Sequence, residues 1–547
     1  MSFIQLVRRE MHGSLQKLVF MSAVGGVSNS AILAAINAGA ASADQTQKSS
    51  LWAATLFVIS LFLFIKTQIY VTTTITAEIE AIIHRLRVRI MDRVRRSELL
   101  AVERIGRARI VAAITSDTAV MTQASNVLCY SMQAPVLIFF VAIYVAYLSL
   151  AAFALSIVIV GTAGTIFHFR SRRLTAERAK AAEQERRLFD RMADFLDGFK
   201  EVRLNSARSV DLFDHAFDVS RAAANIKIHS QTESFRQIVS AQSYMYILLG
   251  TVVFVTPIFS ASIGGSSITK VTTALLYVIG ACFGLVQSIP VLMNANAAAD
   301  RVEQLQATLQ ASALTEEGET KVSHRFEKIE MRNIVFRYVD RFSEAAFQIG
   351  PIDFTLQSGE LVFITGGNGS GKSTFLRVLA GLYPPDSGEL TLDGVRINDH
   401  TRESYRSLMS GIFFDYHLFR RLYGIPEPDP AEVERLLTQF RLEEKTGLSH
   451  GEFRTLDLSG GQRRRLALIV TMLEKRPILM LDEWTAEQDP EFRRKFYEEL
   501  LPDMLKAGAT VVVITHDDRY LDELELPARR IRMDEGRIVS QRPVENG

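Results

Sequence analysis

Cysteine is nearly missing from this chain: 547 residues hold only two. Cys129 and Cys282 both fall inside long apolar runs, so no disulfide framework and no cysteine metal site is visible. An excess of one charge is lacking too. Against 62 Lys and Arg stand 61 Asp and Glu, a formal net charge of +1. Bulk electrostatics of this kind predicts no nucleic-acid partner. Neither a fixed-period repeat nor a low-complexity tract is found, which argues against repeat arrays and low-complexity linkers.

What is there divides into two unlike parts. The first 300 residues contain apolar runs of about 20, the length a helix needs to cross a bilayer. The last 220 or so alternate short apolar runs with helical patterns, as a soluble α/β domain does. The expected architecture is an all-α six-helix transmembrane domain over 1–300, a linker over 301–325, and an α/β P-loop NTPase domain over 326–547.

Six spans are read at about 18–40, 51–73, 126–148, 150–170, 240–262 and 271–295. In lipid a helix satisfies its backbone groups within one segment, so each run is expected to be helical. Arg85 to Arg109 crowd the connection between spans two and three, and Arg170 to Arg187 the one between four and five. The short connections hold only Lys48 and Lys270. Because cytoplasmic flanks accumulate Lys and Arg, both long connections, both termini and the carboxy-terminal domain are expected in the cytoplasm. Ala40-Ala41-Ser42-Ala43 imitates a signal-peptidase site, but five further spans follow and the run is too long for an ordinary signal core.

Lys66 falls inside span two. A central Lys costs roughly 3 kcal/mol on an insertion scale, which the surrounding Leu, Ile, Phe and Val residues outweigh at about 0.3–0.6 kcal/mol each. It either snorkels to the inner interface or faces a water-filled cavity and an anionic cargo group. Asn29, Asn37, Tyr144 and the other polar groups of the spans are read mainly as interhelical hydrogen-bond partners. Gly25-Gly26 is read as a place of close helix packing.

Three motifs carry the chemistry. Strand-like Leu361 to Thr365 runs into G-G-N-G-S-G-K-S-T, Gly366 to Thr374, and then into a helical pattern. Strand, glycine loop and helix are the context that makes a P-loop match specific. Backbone groups of Gly366, Asn368, Gly369, Ser370, Gly371 and Thr374 are expected to cradle the phosphates of ATP, with Lys372 on the terminal phosphates and Ser373 on Mg²⁺. The apolar run Leu479-Met480-Leu481 ends in Asp482, placed to hold the magnesium shell, and Glu483, placed to orient and deprotonate water. His516 follows the apolar run Thr510 to Ile514. A lone His is ordinarily structural; in this ordered set it is read as a γ-phosphate contact. The third motif is L-S-G-G-Q, Leu458 to Gln462.

These residues carry a family resemblance. Phe336 to about Gly536 resembles the nucleotide-binding domain of ATP-binding-cassette (ABC) transporters, and six spans on the same chain resemble their fused exporter arrangement. The resemblance implies that Ser459, Gly460, Gly461 and Gln462 act in trans on ATP held by a second copy. It implies a homodimer, and Tyr338 stacked on adenine with Phe336 in reserve. A narrower likeness is to bacterial exporters of cyclic peptides, lipopeptides and peptide siderophores. D-E-W-T-A-E-Q-D-P, Asp482 to Pro490, resembles their Walker B and D-loop segment, with Asp489 as the D-loop aspartate. F-F-D-Y-H-L-F, Phe413 to Phe419, and G-F-K-E-V-R-L-N, Gly198 to Asn205, resemble their Q-loop and a cytoplasmic loop.

The chain departs from the general cassette at Phe414, which stands where a magnesium-binding Gln is usual. Phe cannot ligate Mg²⁺; Asp415, one residue on, is a hard oxygen donor, and water is the other candidate. The expected function is ATP-driven export of a peptide-like cargo across the bacterial inner membrane. A lipid or multidrug exporter, and an importer or ATP-binding regulator, are the alternatives.

Overall fold

A helix rises 1.5 Å per residue, so the apolar runs above are long enough to cross hydrocarbon, and the charged patterns after them extend the same helices beyond it. The computed structural model describes residues 3–11, 13, 15–42, 47–255, 265–312, 325–339 and 346–543. Among them, six helices are long and apolar enough to span a membrane: Leu15–Ala40, Leu51–Arg96, Arg107–Leu148, Leu150–Phe167, Ser206–Phe254 and Ile268–Ala311. Ala43, residues 256–262 of the fifth expected span and 313–324 of the expected linker lie outside the described residues. Three helices, Gln47–Arg96, Leu150–Asp197 and Ser206–Phe254, run 48 to 50 residues. That is roughly 70–75 Å, more than twice the hydrocarbon thickness. Short helices Leu99–Ile105 and Phe199–Leu204 punctuate the two long connections.

The chain forms two compact units, one of Met1–Met91 with Ala108–Gln306, the other of Asp92–Arg107 with Ala307–Gly547. In the first, small residues and paired polar groups set the packing. A side chain at Gly26 would meet Val136 at 2.7 Å, so glycine permits the close approach of the helices carrying them. Tyr277 donates to Asn29, and Asn37 donates to the Tyr144 hydroxyl at 3.4 Å, both between helices. A π-helical turn, Ala113–Asp117, interrupts the third spanning helix. Arg87 donates to the Ile114 carbonyl in it at 3.0 Å, and Arg301 pairs with Asp117. Lys66 is exposed, with its ammonium over the Phe62 ring.

The second unit holds strands β1 (Lys328–Val339), β2 (Ala346–Gln357), β3 (Leu361–Gly366), β4 (Ser387–Leu392), β5 (Val395–Arg396) and β6 (Met409–Ile412). After them come β7 (Leu448–Ser449), β8 (Glu452–Phe453), β9 (Ile478–Asp482), β10 (Thr510–Ile514), β11 (Arg529–Asp534) and β12 (Arg537–Pro543). One sheet is antiparallel, in the order β2-β1-β4-β5; the other runs β12-β11-β3-β10-β9-β6. The latter is parallel from β11 to β6. Parallel strands are covered on both faces and so read as continuous apolar runs. Leu361 and Phe363 of β3 enter one core cluster with Leu481, Trp484 and Val513, whereas Val362 and Ile364 enter the other with Phe375, Met480 and Val512. That alternation is the period of two expected of a strand.

Asp92–Arg107 is part of this unit. Leu99 and Leu100 pack on the second cluster, and Arg402 donates to Glu98 at 2.9 Å. Buried Tyr383 donates its hydroxyl to Glu103 at 2.8 Å and receives Arg377 at 3.1 Å.

Candidate functional site

In open α/β sheets ligands bind beyond the carboxyl ends of the parallel strands. At the end of β3, Gly366 has φ +148, and a Cβ there would lie 2.2 Å from the Met533 carbonyl oxygen. Only glycine fits, so the chain turns sharply and opens the loop. Helix Lys372–Leu379 starts directly after Gly371. Its first-turn N–H groups have no carbonyl partners within the helix, which makes them anion ligands. Phe347, residues 368–374 and Glu483 line a cleft of about 350 Å³ at this loop. Phe347 was not foreseen, since only the antiparallel pairing of β2 with β1, opposite Tyr338, brings it there.

Lys372 is buried and donates to the carbonyls of Gly366 at 3.1 Å and Gly367 at 2.9 Å. Burial lowers its pKa, and the charges of Glu483 and Asp482 pull it back up. Asp482 is wholly buried at the end of β9. Its Oδ1 accepts the Ser373 hydroxyl at 3.2 Å, while its Oδ2 has no hydrogen-bond partner. Burial therefore raises its pKa, against the Ser373 hydrogen bond. A cation at that oxygen would reverse the shift. One hydroxyl and one buried carboxylate with a free oxygen fit Mg²⁺, which keeps waters and substrate phosphates as its other ligands. Among the described residues no cluster of three or more His, Cys, Asp or Glu offers a protein-only metal cage.

Glu483 adopts φ +50, a left-handed conformation uncommon for a residue with a side chain. Such conformations cost about 1–3 kcal/mol and persist only where neighbours hold them. Here its N–H donates to the Ile514 carbonyl at 3.0 Å, its carbonyl accepts from Arg464, and its Oε1 lies 3.2 Å from His516 Nε2. The end of β10 thus delivers His516, read from the sequence as a γ-phosphate contact, to the carboxylate of Glu483.

Other expected residues sit elsewhere. Ser459 and Gln462 form a reciprocal capping box at the start of helix Gly460–Leu473. None of Ser459 to Gln462 lines the P-loop cleft of the same chain. Asp489 caps helix Pro490–Lys495, accepts the Phe492 N–H at 2.8 Å and pairs with Arg465. The Phe492 N–H and Arg465 together hold its carboxyl below the usual range. Tyr338 is partly exposed, whereas Phe336 is buried against Tyr383, which leaves Tyr338 as the accessible ring of the pair. Asp415 is exposed, with Arg377 3.3 Å from its carboxylate. Arg377 lies four residues, or about one turn, beyond Ser373 on the P-loop helix. A larger open cleft, lined by Glu432, Arg435, Lys475, Arg476 and Leu479 among others, contains none of the expected site residues.

Residues 349–486 match the family model described as ABC transporter. The ATP-binding protein SyrD of Pseudomonas syringae pv. syringae is 33% identical over 476 residues, 84% of this chain and 82% of that protein. The chain belongs to the ABC transporter family. As in other ABC exporters with both parts on one chain, a membrane domain precedes an ATPase domain that binds ATP. The "probable syringafactin export ATP-binding/permease protein SyfD" of P. syringae pv. syringae (strain B728a) is 34% identical over 206 residues, 36% of this chain and 31% of that one. In fold, this ABC chain matches the structure of a bacterial Atm1-family ABC exporter with ATP bound: TM-score 0.76, 19% identity, 97% and 95% of the two chains covered.

Proposed function

We propose that this ABC exporter works as a homodimer in the bacterial inner membrane and moves a peptide-like cargo: a cyclic peptide, a lipopeptide or a peptide siderophore. The observation that carries the cargo class is the similarity to a protein named for syringafactin export. The segments Asp482 to Pro490, Phe413 to Phe419 and Gly198 to Asn205 point the same way.

In this reading two ATP molecules join the ATPase domains of two copies, each bound by the P-loop of one copy and residues Ser459 to Gln462 of the other. Lys372 and the loop amides hold the phosphates, and Tyr338 stacks on adenine. Ser373 and Asp482 hold Mg²⁺, which when bound neutralises charge on the phosphates. Glu483, aligned by His516, takes the proton of the attacking water. Asp92–Arg107 belongs to the ATPase unit and continues into the helix ending at Arg96, so chain continuity carries domain movement to the spans. ATP must favour the closed state by roughly 5.5 kcal/mol to move it from 1:99 to 99:1. Several charge-assisted phosphate contacts at each of two sites supply energy of that order.

The cargo reading is tested by profiling metabolites inside and outside cells with and without the gene. A peptide-like compound that leaves the medium and accumulates inside the deletion strain supports it. An unchanged peptide profile, with ATPase activity stimulated by lipid rather than by cyclic peptide, points to the lipid or multidrug reading.

We further assign Asp415 to the magnesium shell in place of the missing Q-loop Gln, with Arg377 holding it one turn from Ser373. Asp415→Asn should lower magnesium-dependent hydrolysis at least about tenfold, as general loss of a positioned charge does, while ATP binding persists. Normal turnover of the folded variant would leave Asp415 as a partner of Arg377 alone.

A further inference from the structure

We infer that Arg464 is a positioning residue for hydrolysis, holding the Glu483 peptide against the helix that Ser459 caps. The inference rests on the assignment of Glu483 as the base.

Arg464 is only 2% exposed, unusual for a guanidinium, and a buried cation needs partners. Its Nη1 donates to the Glu483 carbonyl, and its Nη2 donates to the Glu487 carboxylate at 3.2 Å. Its main chain grips the same segment, since the Arg464 carbonyl accepts Trp484 Nε1–H at 2.9 Å. Trp484 is itself wholly buried, packed on Phe492 and Phe496. Both ends of one residue therefore clamp the turn that carries the left-handed Glu483. The N–H of Glu483 is fixed by β10 and its carboxylate by His516. Its carbonyl accepts the Ala486 N–H at 3.2 Å, a bond inside the turn itself, so Arg464 is the donor that ties that carbonyl to the neighbouring helix. Without the Arg464 fork the turn keeps its internal Ala486 bond but loses its tie to the helix, so it can shift as a unit and carry the carboxylate off the line of attack.

A second feature gives Arg464 a reporting role. The rings of Phe414 and Tyr416 lie 5.9 and 6.0 Å from the guanidinium carbon, within cation–π reach. Arg464 thus touches the Q-loop segment, the helix bearing Ser459 and the Glu483 turn at once. Movement of Phe414 and Tyr416 would be felt at Glu483 through one side chain.

The test uses the full chain in lipid nanodiscs, with phosphate release and equilibrium binding of a fluorescent ATP analogue as readouts. Arg464→Met should cut kcat by about 10²-fold, the scale of a small misplacement of a catalytic group. Analogue affinity should stay within about twofold. In the Glu483→Gln background the same change should add less than about twofold, because the group it positions is already gone. Arg464→Lys should fall between, as an ammonium cannot span both partners. A fall in affinity matching the fall in kcat, or an undiminished further loss in the Glu483→Gln background, overturns the inference in favour of a merely structural role. Should Arg464→Met fail to fold, Arg464→Lys decides: reduced kcat with affinity intact supports positioning, and native kcat overturns it. An inactive Glu483→Gln beside a fully active Arg464→Met rejects the role of Arg464 alone. A fully active Glu483→Gln rejects the base assignment and Arg464 with it.

Discussion

Glu483→Gln should hydrolyse ATP about 10²- to 10⁴-fold more slowly than the native exporter, the contribution typical of a positioned general base. That corresponds to about 2.7–5.4 kcal/mol of transition-state stabilisation. The change is nearly isosteric and leaves untouched the backbone bonds that hold this residue, from its N–H to Ile514 and from Arg464 to its carbonyl. His516 can still hydrogen-bond the amide, so the turn should survive. Nucleotide affinity should be unchanged or higher, because a carboxylate lining the phosphate cleft is removed. The variant should consequently retain unhydrolysed ATP in closed dimers, seen as labelled ATP that stays with the protein through rapid gel filtration. Full-rate cycling would falsify the assignment of Glu483 as the base.

The parts of this mechanism that a reader of the sequence could find are those written contiguously. Gly366 to Thr374 runs from the end of a buried strand through a short loop into the first turn of a helix, so motif and sequence neighbourhood coincide. Asp482 and Glu483 are equally plain, because a wholly apolar strand announces them. The six spans are legible because length and hydropathy alone decide whether a helix can cross lipid. What stayed hidden depends on pairings distant in sequence. Phe347 reaches the P-loop cleft only through the register of β2 on β1. Arg464 reads as one of three arginines after Gln462, and nothing local tells that it is buried whereas its neighbour Arg465 pairs with Asp489. Glu103 sits in a connection between spans, yet it receives the hydroxyl of Tyr383, 280 residues later in the chain. The left-handed turn at Glu483 was invisible as well, since no glycine marks it.

The proposed division of labour between two copies yields the second large effect. Ser459 to Gln462 do not line the P-loop cleft of their own chain, and the site in the proposed dimer is completed by the partner's copies of them. Lys372→Ala removes the ammonium proposed to reach the terminal phosphates, so dimers of that variant should lose hydrolysis at both sites. Ser459→Arg removes the capping side chain and puts a bulky cation at the helix start, so dimers of that variant should also be inactive. Mixed dimers of the two differ in kind. One of their sites combines both lesions, but the other joins an intact P-loop to an intact Ser459 helix start. Co-expression with two affinity tags and purification through both should recover one working site, hence ATPase activity well above either parent. If each chain completed its own site, every subunit would carry one lesion and the mixture would stay as inactive as its parents. Activity that fails to reappear in verified mixed dimers, while native dimers carrying the same two tags stay active, would therefore remove the trans arrangement, and with it the reason that closure of one copy on the other depends on ATP.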